Sequence, residues 1–123
     1  DYETLAKPPL SPPGIIFPIV WSILYTLMGI SFAQLEINNL HDNDTKKVYY
    51  EQLIVNLSWP IFFFTFKWRL FSILIILLLL ILVIRMIRVF YRKEKLAGLL
   101  QIPYLLWVSF ATYLNIFTYF LNN

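Results

Sequence analysis

Charged residues fall at a few places along the chain and leave long apolar intervals. No charge interrupts Pro8 to Leu35, Gln52 to Phe66, Leu70 to Ile84 or Leu96 to Asn123. A membrane-crossing helix needs about 20 mostly apolar residues rising about 1.5 Å each. The first and last intervals suffice. The two inner ones reach only about 22 Å. They extend through Val48, Tyr49 and Tyr50 before the second, and through Met86, Ile87, Val89, Phe90 and Tyr91 after the third. Lys67, Arg69, Arg85 and Arg88 can bury their stems and reach the headgroups. The pattern predicts four helices, at roughly 14–36, 48–67, 69–92 and 96–121. The fold class is all-α: one integral membrane helical bundle over residues 1–123.

The connections agree. Asn38 to Asp44 is polar and turn-rich, Lys67-Trp68-Arg69 is a tight turn, and Arg92 to Lys95 is another. Short links make sequential helices antiparallel neighbours. Seven of the ten Lys and Arg residues then flank one side: Lys46, Lys47, Arg85, Arg88, Arg92, Lys93 and Lys95. Lys7, Lys67 and Arg69 flank the other. The positive-inside rule places the larger group in the cytoplasm and both visible ends outside, as in a bacterial cytoplasmic membrane.

Composition narrows the chemistry. Apolar residues make up 59% of the 123 and charged ones 14%, against about 25% charged in an ordinary soluble domain. Without cysteine there is no disulfide, thiolate site or cysteine nucleophile, and one histidine, His41, cannot build a metal cluster. No phosphate loop, nucleophile elbow or catalytic carboxylate pair is present. Basic residues beside apolar runs point to membrane flanks rather than nucleic acid. The opening from Asp1 is acidic and proline-rich, unlike a signal peptide, and reads as a cut end.

The helices are not equivalent. The third is aliphatic from Leu70 to Ile84 and reads as a lipid-facing or packing helix. The others each carry a stripe within about 80° of the helical wheel. The stripes are Phe17, Trp21, Tyr25, Met28 and Phe32; Tyr49, Gln52, Asn56, Trp59 and Phe63; and Tyr104, Trp107, Ala111, Asn115 and Thr118. Polar groups in a membrane face the bundle interior, so the three stripes are expected to converge. Two readings stay open. Amides and rings pack helices together; large facing rings also leave gaps that a flat apolar ligand could fill. Pro18, Pro60 and Pro103 are expected to free the carbonyls of Gly14, Asn56 and Leu99 and to kink the helices. Asp42 and Asp44 near His41 read as a solvated loop. Val89-Phe90-Tyr91-Arg92-Lys93 matches a permissive sterol-contact pattern.

Three ordered blocks resemble a known family. They are Lys7-Pro8 with Pro12-Pro13-Gly14 and Phe17 to Gly29; Gln52-Leu53 with Asn56, Trp59, Phe62 and Phe63; and Pro103 to Asn115. The resemblance is to the translocator protein (TspO/MBR) family, the tryptophan-rich sensory proteins and peripheral benzodiazepine receptors. It implies a five-helix bundle, commonly dimeric, whose first helix would precede Asp1, with residues 1–13 as a loop capping the pocket. It implies binding of protoporphyrin IX-like tetrapyrroles and benzodiazepine-site drugs inside the bundle. The matching positions are Tyr2 and Pro12 in the capping loop, Trp21, then Asn56, Trp59, Phe62 and Phe63, then Trp107, Ala111 and Leu114. Some members are proposed to degrade porphyrin under light, which would fall to Trp21 and Trp107 here. The leading expectation is a receptor or sensor with no resident cofactor and no metal. The rivals are a light-dependent porphyrin-degrading enzyme and a tetrapyrrole or sterol transporter. The absence of buried charge and of an internal repeat counts against a coupled carrier.

Overall fold

The structure, a computed structural model, describes residues 14–65 and 69–122. Among them there is no strand. The elements are α1 (Ile16–Ile37), α2 (Asn43–Pro60), a π-helical turn (Ile61–Thr65), α3 (Arg69–Lys93), the short α4 (Lys95–Leu99) and α5 (Ile102–Asn122). Among the described residues three stretches are long and apolar enough to cross a membrane: Ile16–Ile37, Leu70–Lys93 and Lys95–Leu121. The second helix, expected to be a span of the same kind, differs. Its first half carries Asp44, Lys46, Lys47 and Glu51, and its apolar stretch is shared with the π-helical turn.

Local chemistry sets the ends. Asn39 takes a positive φ of 57°, a conformation asparagine tolerates better than most residues. Its N–H bonds the Glu36 carbonyl at 3.0 Å, and the Leu40 N–H reaches back to Leu35 at 2.8 Å. This pair of bonds closes α1, with Leu40 packed on the core beside buried Leu35. Helix α2 starts five residues before the expected position 48, at Asn43. Asp42 caps it: its carboxylate accepts from the Thr45 N–H at 2.9 Å, and the Thr45 hydroxyl accepts from the Asp42 N–H at 3.0 Å. Only the end of the polar segment that reads as loop, Asn43 and Asp44, joins α2 as part of its capped first turn, and residues 38–42 remain the connection.

The prolines act differently from expectation. Pro18 and Pro103 fall in the first turns of α1 and α5, where a missing N–H breaks no helical bond. The Gly14 carbonyl is not freed; it accepts from Phe17 N–H at 3.3 Å. The last span is broken rather than kinked, at Leu100 and Gln101 between α4 and α5. Pro60 alone perturbs a helix body, since α2 passes there into the π-helical turn.

The aliphatic third helix is the centre of the bundle. It packs closely along α2, α5 and α4. Ser72, Ile76, Leu79, Val83, Met86 and Phe90 form its fully buried stripe, while Leu74, Leu78 and Ile81 face outward. It is thus a packing helix on one face and lipid-facing on the other. Gly98 permits its contact with α4: a Cβ there would stand 2.7 Å from Tyr91 Cβ. The backbone of α1, by contrast, makes its main close approach only to α4. Ser31 Oγ fixes that approach by donating to the Ala97 carbonyl at 2.7 Å. Outward-facing hydroxyls are satisfied within their own helices, as when Ser22 bonds Pro18 O and Ser109 bonds Leu105 O.

The two polar connections of the basic side lie together. Lys93 pairs with Asp42, and Asn38 Nδ2 donates to Glu94 Oε2 at 2.7 Å. His41, read as part of a solvated loop, instead tilts against the Phe32 ring at 4.2 Å and bonds the Phe32 carbonyl at 3.0 Å. Asp42 is likewise committed. The Lys93 hydrogen bond and then the Thr45 N–H hold its carboxyl well below the usual range, at about 2.

Candidate ligand site between the helices

The stripes of α1, α2 and α5 meet, and their polar groups form one directed relay. Tyr25 donates to Asn56 Oδ1 at 2.5 Å. Asn56 Nδ2 donates to the Tyr104 oxygen at 2.6 Å. Tyr104 donates to Gln52 Oε1 at 2.7 Å, and Gln52 Nε2 donates to the Tyr49 carbonyl at 2.8 Å. Gln52, Asn56 and Tyr104 are fully buried. Each amide and hydroxyl here has the partner that a low-dielectric interior demands. A second link runs from Trp59 Nε1 to Asn115 Oδ1 at 2.7 Å, with Phe63 stacked on the Trp59 ring at 5.1 Å.

The relay divides two aromatic clusters. Toward the α1–α2 connection, Phe32 stacks on Tyr49 at 4.0 Å and 8°, with Phe90 stacked beside both at about 6.4 Å. These rings are in direct contact and close that end. Toward the start of α1 the rings stand edge to face. Trp21 meets Trp107 at 6.3 Å and 90°, and Tyr104 at 6.3 Å and 70°. Phe17 meets Trp107 at 5.8 Å and 65°, and Tyr25 stacks on Trp21 at 5.7 Å. Rings rather than small residues therefore hold α1 to α5, and they keep the two backbones apart.

One atom in this second cluster stands out. Trp107 Nε1 is buried and has no hydrogen-bond acceptor. An orphaned buried donor costs about 1–3 kcal/mol, which an incoming acceptor would recover. Gln101, one turn before Tyr104 on α5, is also fully buried, with both amide atoms unpartnered.

The expected contact residues distribute as follows. Trp21 and Trp107 stand in the edge-to-face cluster, both half-buried. Asn56 bridges to it through Tyr25 and Tyr104. Trp59, Phe63, Ala111 and Leu114 are buried in the core. The Phe62 ring stands edge-on to Phe71 of α3 at 4.8 Å. Tyr2 and Pro12 lie outside the described residues, as does the Trp68 turn. Phe17, Tyr25 and Tyr104 were absent from the motif-matched set, although the wheel had placed all three on the stripes. Nothing in the pattern singled out Gln101. Among the described residues no group of His, Asp or Glu could hold a metal.

Comparison with known proteins agrees with this architecture. The TspO/MBR family model matches residues 1–121. The chain belongs to the TspO/MBR family. It is 39% identical to the tryptophan-rich protein TspO of Chlorobaculum tepidum, over 93% of this chain and 74% of that protein. It is 37% identical to the protein of the same name from Archaeoglobus fulgidus, over 98% of this chain and 79% of that one. It is 32% identical to the human translocator protein, over 93% of this chain and 70% of the human protein. Family membership and three apolar spans among the described residues make it an integral membrane protein, and a relative from Cereibacter sphaeroides, 32% identical, is named a tryptophan-rich sensory protein, in keeping with a membrane sensor or receptor kind of role.

Proposed function

We propose that this chain is a membrane receptor or sensor for flat, largely apolar ring systems of the porphyrin class. The ligand is held against the Trp21–Trp107 wall between α1 and α5, and the host membrane is a bacterial cytoplasmic membrane. The observation that carries the reading is the buried, acceptor-less Trp107 N–H inside a cluster of edge-to-face rings. Rings supply area and stacking. The N–H supplies orientation by taking a carboxylate, carbonyl or ring-nitrogen acceptor. Helix α1, anchored by side chains more than by close backbone contact, is the wall able to move aside.

Protoporphyrin IX titration of the detergent-solubilised protein tests this, read by quenching of tryptophan fluorescence. Trp107→Phe keeps the ring and loses the N–H, and binding is expected to weaken by up to about tenfold. Trp21→Ala is expected to weaken it more than Trp21→Phe. Unchanged affinity in both Trp107→Phe and Trp21→Ala, with helicity intact, would refute the site. The contact between the two indoles also favours a second reading, light-dependent porphyrin breakdown. Product that requires protein, light and oxygen, and that is lost in Trp21→Phe while binding persists, would separate enzyme from receptor.

A further inference from the structure

The outward face of α3 changes character along its length. Leu74, Leu78 and Ile81 are exposed and apolar. Arg85, Arg88 and Arg92 then continue the same face, all exposed, within about 10 Å of helix axis. With Ile81, Ile84 and Val89 they line an open groove of about 530 Å³. Arg85 Nη1 is paired with Glu51 Oε1 of α2 at 3.0 Å. Among the described residues no carboxylate pairs with Arg88 or Arg92. Like charges four residues apart on a helix repel. Two uncompensated guanidiniums therefore stand together at the end of an apolar track.

From this juxtaposition we propose a discrete binding site for one anionic phospholipid, separate from the aromatic cluster. The phosphate is held by Arg88 and Arg92, with Arg85 at its edge, and an acyl chain lies along Ile81, Leu78 and Leu74. Guanidinium forks match phosphate oxygens two at a time. The opposite charge relieves the Arg88–Arg92 repulsion. The fork alone would also fit the phosphate of a zwitterionic lipid, whose own cation cancels that charge; relief of the repulsion therefore selects a net anionic headgroup, and neither argument applies to a sterol. The sterol-contact pattern at 89–93 is divided among different faces: Phe90 is buried, Tyr91 lies against Gly98, Lys93 pairs with Asp42, and only Val89 and Arg92 line the groove.

The test uses the protein in nanodiscs of phosphatidylcholine with a minor fraction of phosphatidylglycerol, counting retained lipids by native mass spectrometry. One phosphatidylglycerol per chain should be retained in preference to phosphatidylcholine. Arg88→Gln/Arg92→Gln should lower that preference by about tenfold or more. Lys46→Gln/Lys47→Gln removes as much charge from the same end and should leave it unchanged. Equal losses in the two pairs would mean diffuse surface charge, and an unaffected arginine pair would mean no such site. Millimolar inorganic phosphate should not displace the lipid; displacement would mean a bare ion site and overturn the lipid assignment. Helicity by circular dichroism, measured in parallel, reports that each variant is folded.

Discussion

Removing the Tyr104 hydroxyl should cut the relay at its most expensive point. Tyr104 accepts from Asn56 Nδ2 at 2.6 Å and donates to Gln52 Oε1 at 2.7 Å. Tyr104→Phe therefore orphans a donor and an acceptor at once, both on fully buried side chains. Tyr25 lies at the relay's donor end and is only half-buried, so Tyr25→Phe orphans the Asn56 acceptor alone. Side-chain hydrogen bonds in membrane bundles average about 0.6 kcal/mol and reach about 1.7 kcal/mol. Two such bonds put the Tyr104→Phe loss at about 1–3 kcal/mol, against about 0.6 kcal/mol for Tyr25→Phe. Equilibrium unfolding in mixed micelles, followed by helicity, measures both. The double variant adds a further check. Its loss should fall short of the sum, because the bonds share Asn56 and polarise one another. A neutral Tyr104→Phe, or a Tyr25→Phe that costs as much, would refute the directed relay. The stripes would then be held by ring packing alone.

Gly98→Ala should destabilise the bundle by about 1–3 kcal/mol, because the new Cβ meets Tyr91 backbone as well as side chain, at 2.8 Å from its Cα; the same unfolding assay reads it. The depressed Asp42 carboxyl makes the α2 cap pH-dependent. Its contribution is fully present above the ordinary carboxylate value of about 4 and is lost as pH falls through about 2. Asp42→Asn should remove the part of the acid-induced loss that comes from the Lys93 pair, and an unchanged acid profile would show that the pair carries none. Cysteine placed at Asn122 should react with an impermeant external reagent in intact bacterial cells, and protection there would reverse the orientation.

The membrane character and the convergence of three helices were legible in the sequence because both rest on periodicity. A charge-free interval has a length, and a helical wheel has a face. The relay residues Tyr25, Gln52, Asn56 and Tyr104 all stood on those faces. What the wheel could not give is pairing across helices. It could not show that Trp59 meets Asn115, or that Trp107 is left without an acceptor. Helix α3 was underread for a related reason. An all-aliphatic helix has no moment to mark its inner face, so its central place follows only from the neighbours it serves. The start of α2 was hidden because a threonine, rather than the usual glutamate or glutamine, completes its capping box. His41 does lie in the connection between α1 and α2, but its ring contact with Phe32 leaves no local trace in a segment otherwise made of turn-forming residues.

The way α1 is attached bears on how the proposed receptor would admit a ligand. Close backbone approach, as between α3 and α4 at Gly98, is stiff, because any separation forfeits many contacts at once. Helix α1 meets α5 through rings standing edge to face, and it meets α2 through the Tyr25–Asn56 hydrogen bond and the Phe32–Tyr49 stack. Opening that seam would give up a few discrete interactions of modest strength. Those same groups can then be satisfied by a ligand: rings by a flat ring, Tyr25 and Trp107 by acceptors. The rigid wall of α2, α3 and α5 keeps its own polar groups paired through Tyr104, Gln52 and Asn115 while this happens. On the proposed reading, the bundle separates its polar groups into those that hold the fold and those that a ligand would take over. The unpartnered Trp107 N–H belongs to the second set before any ligand arrives.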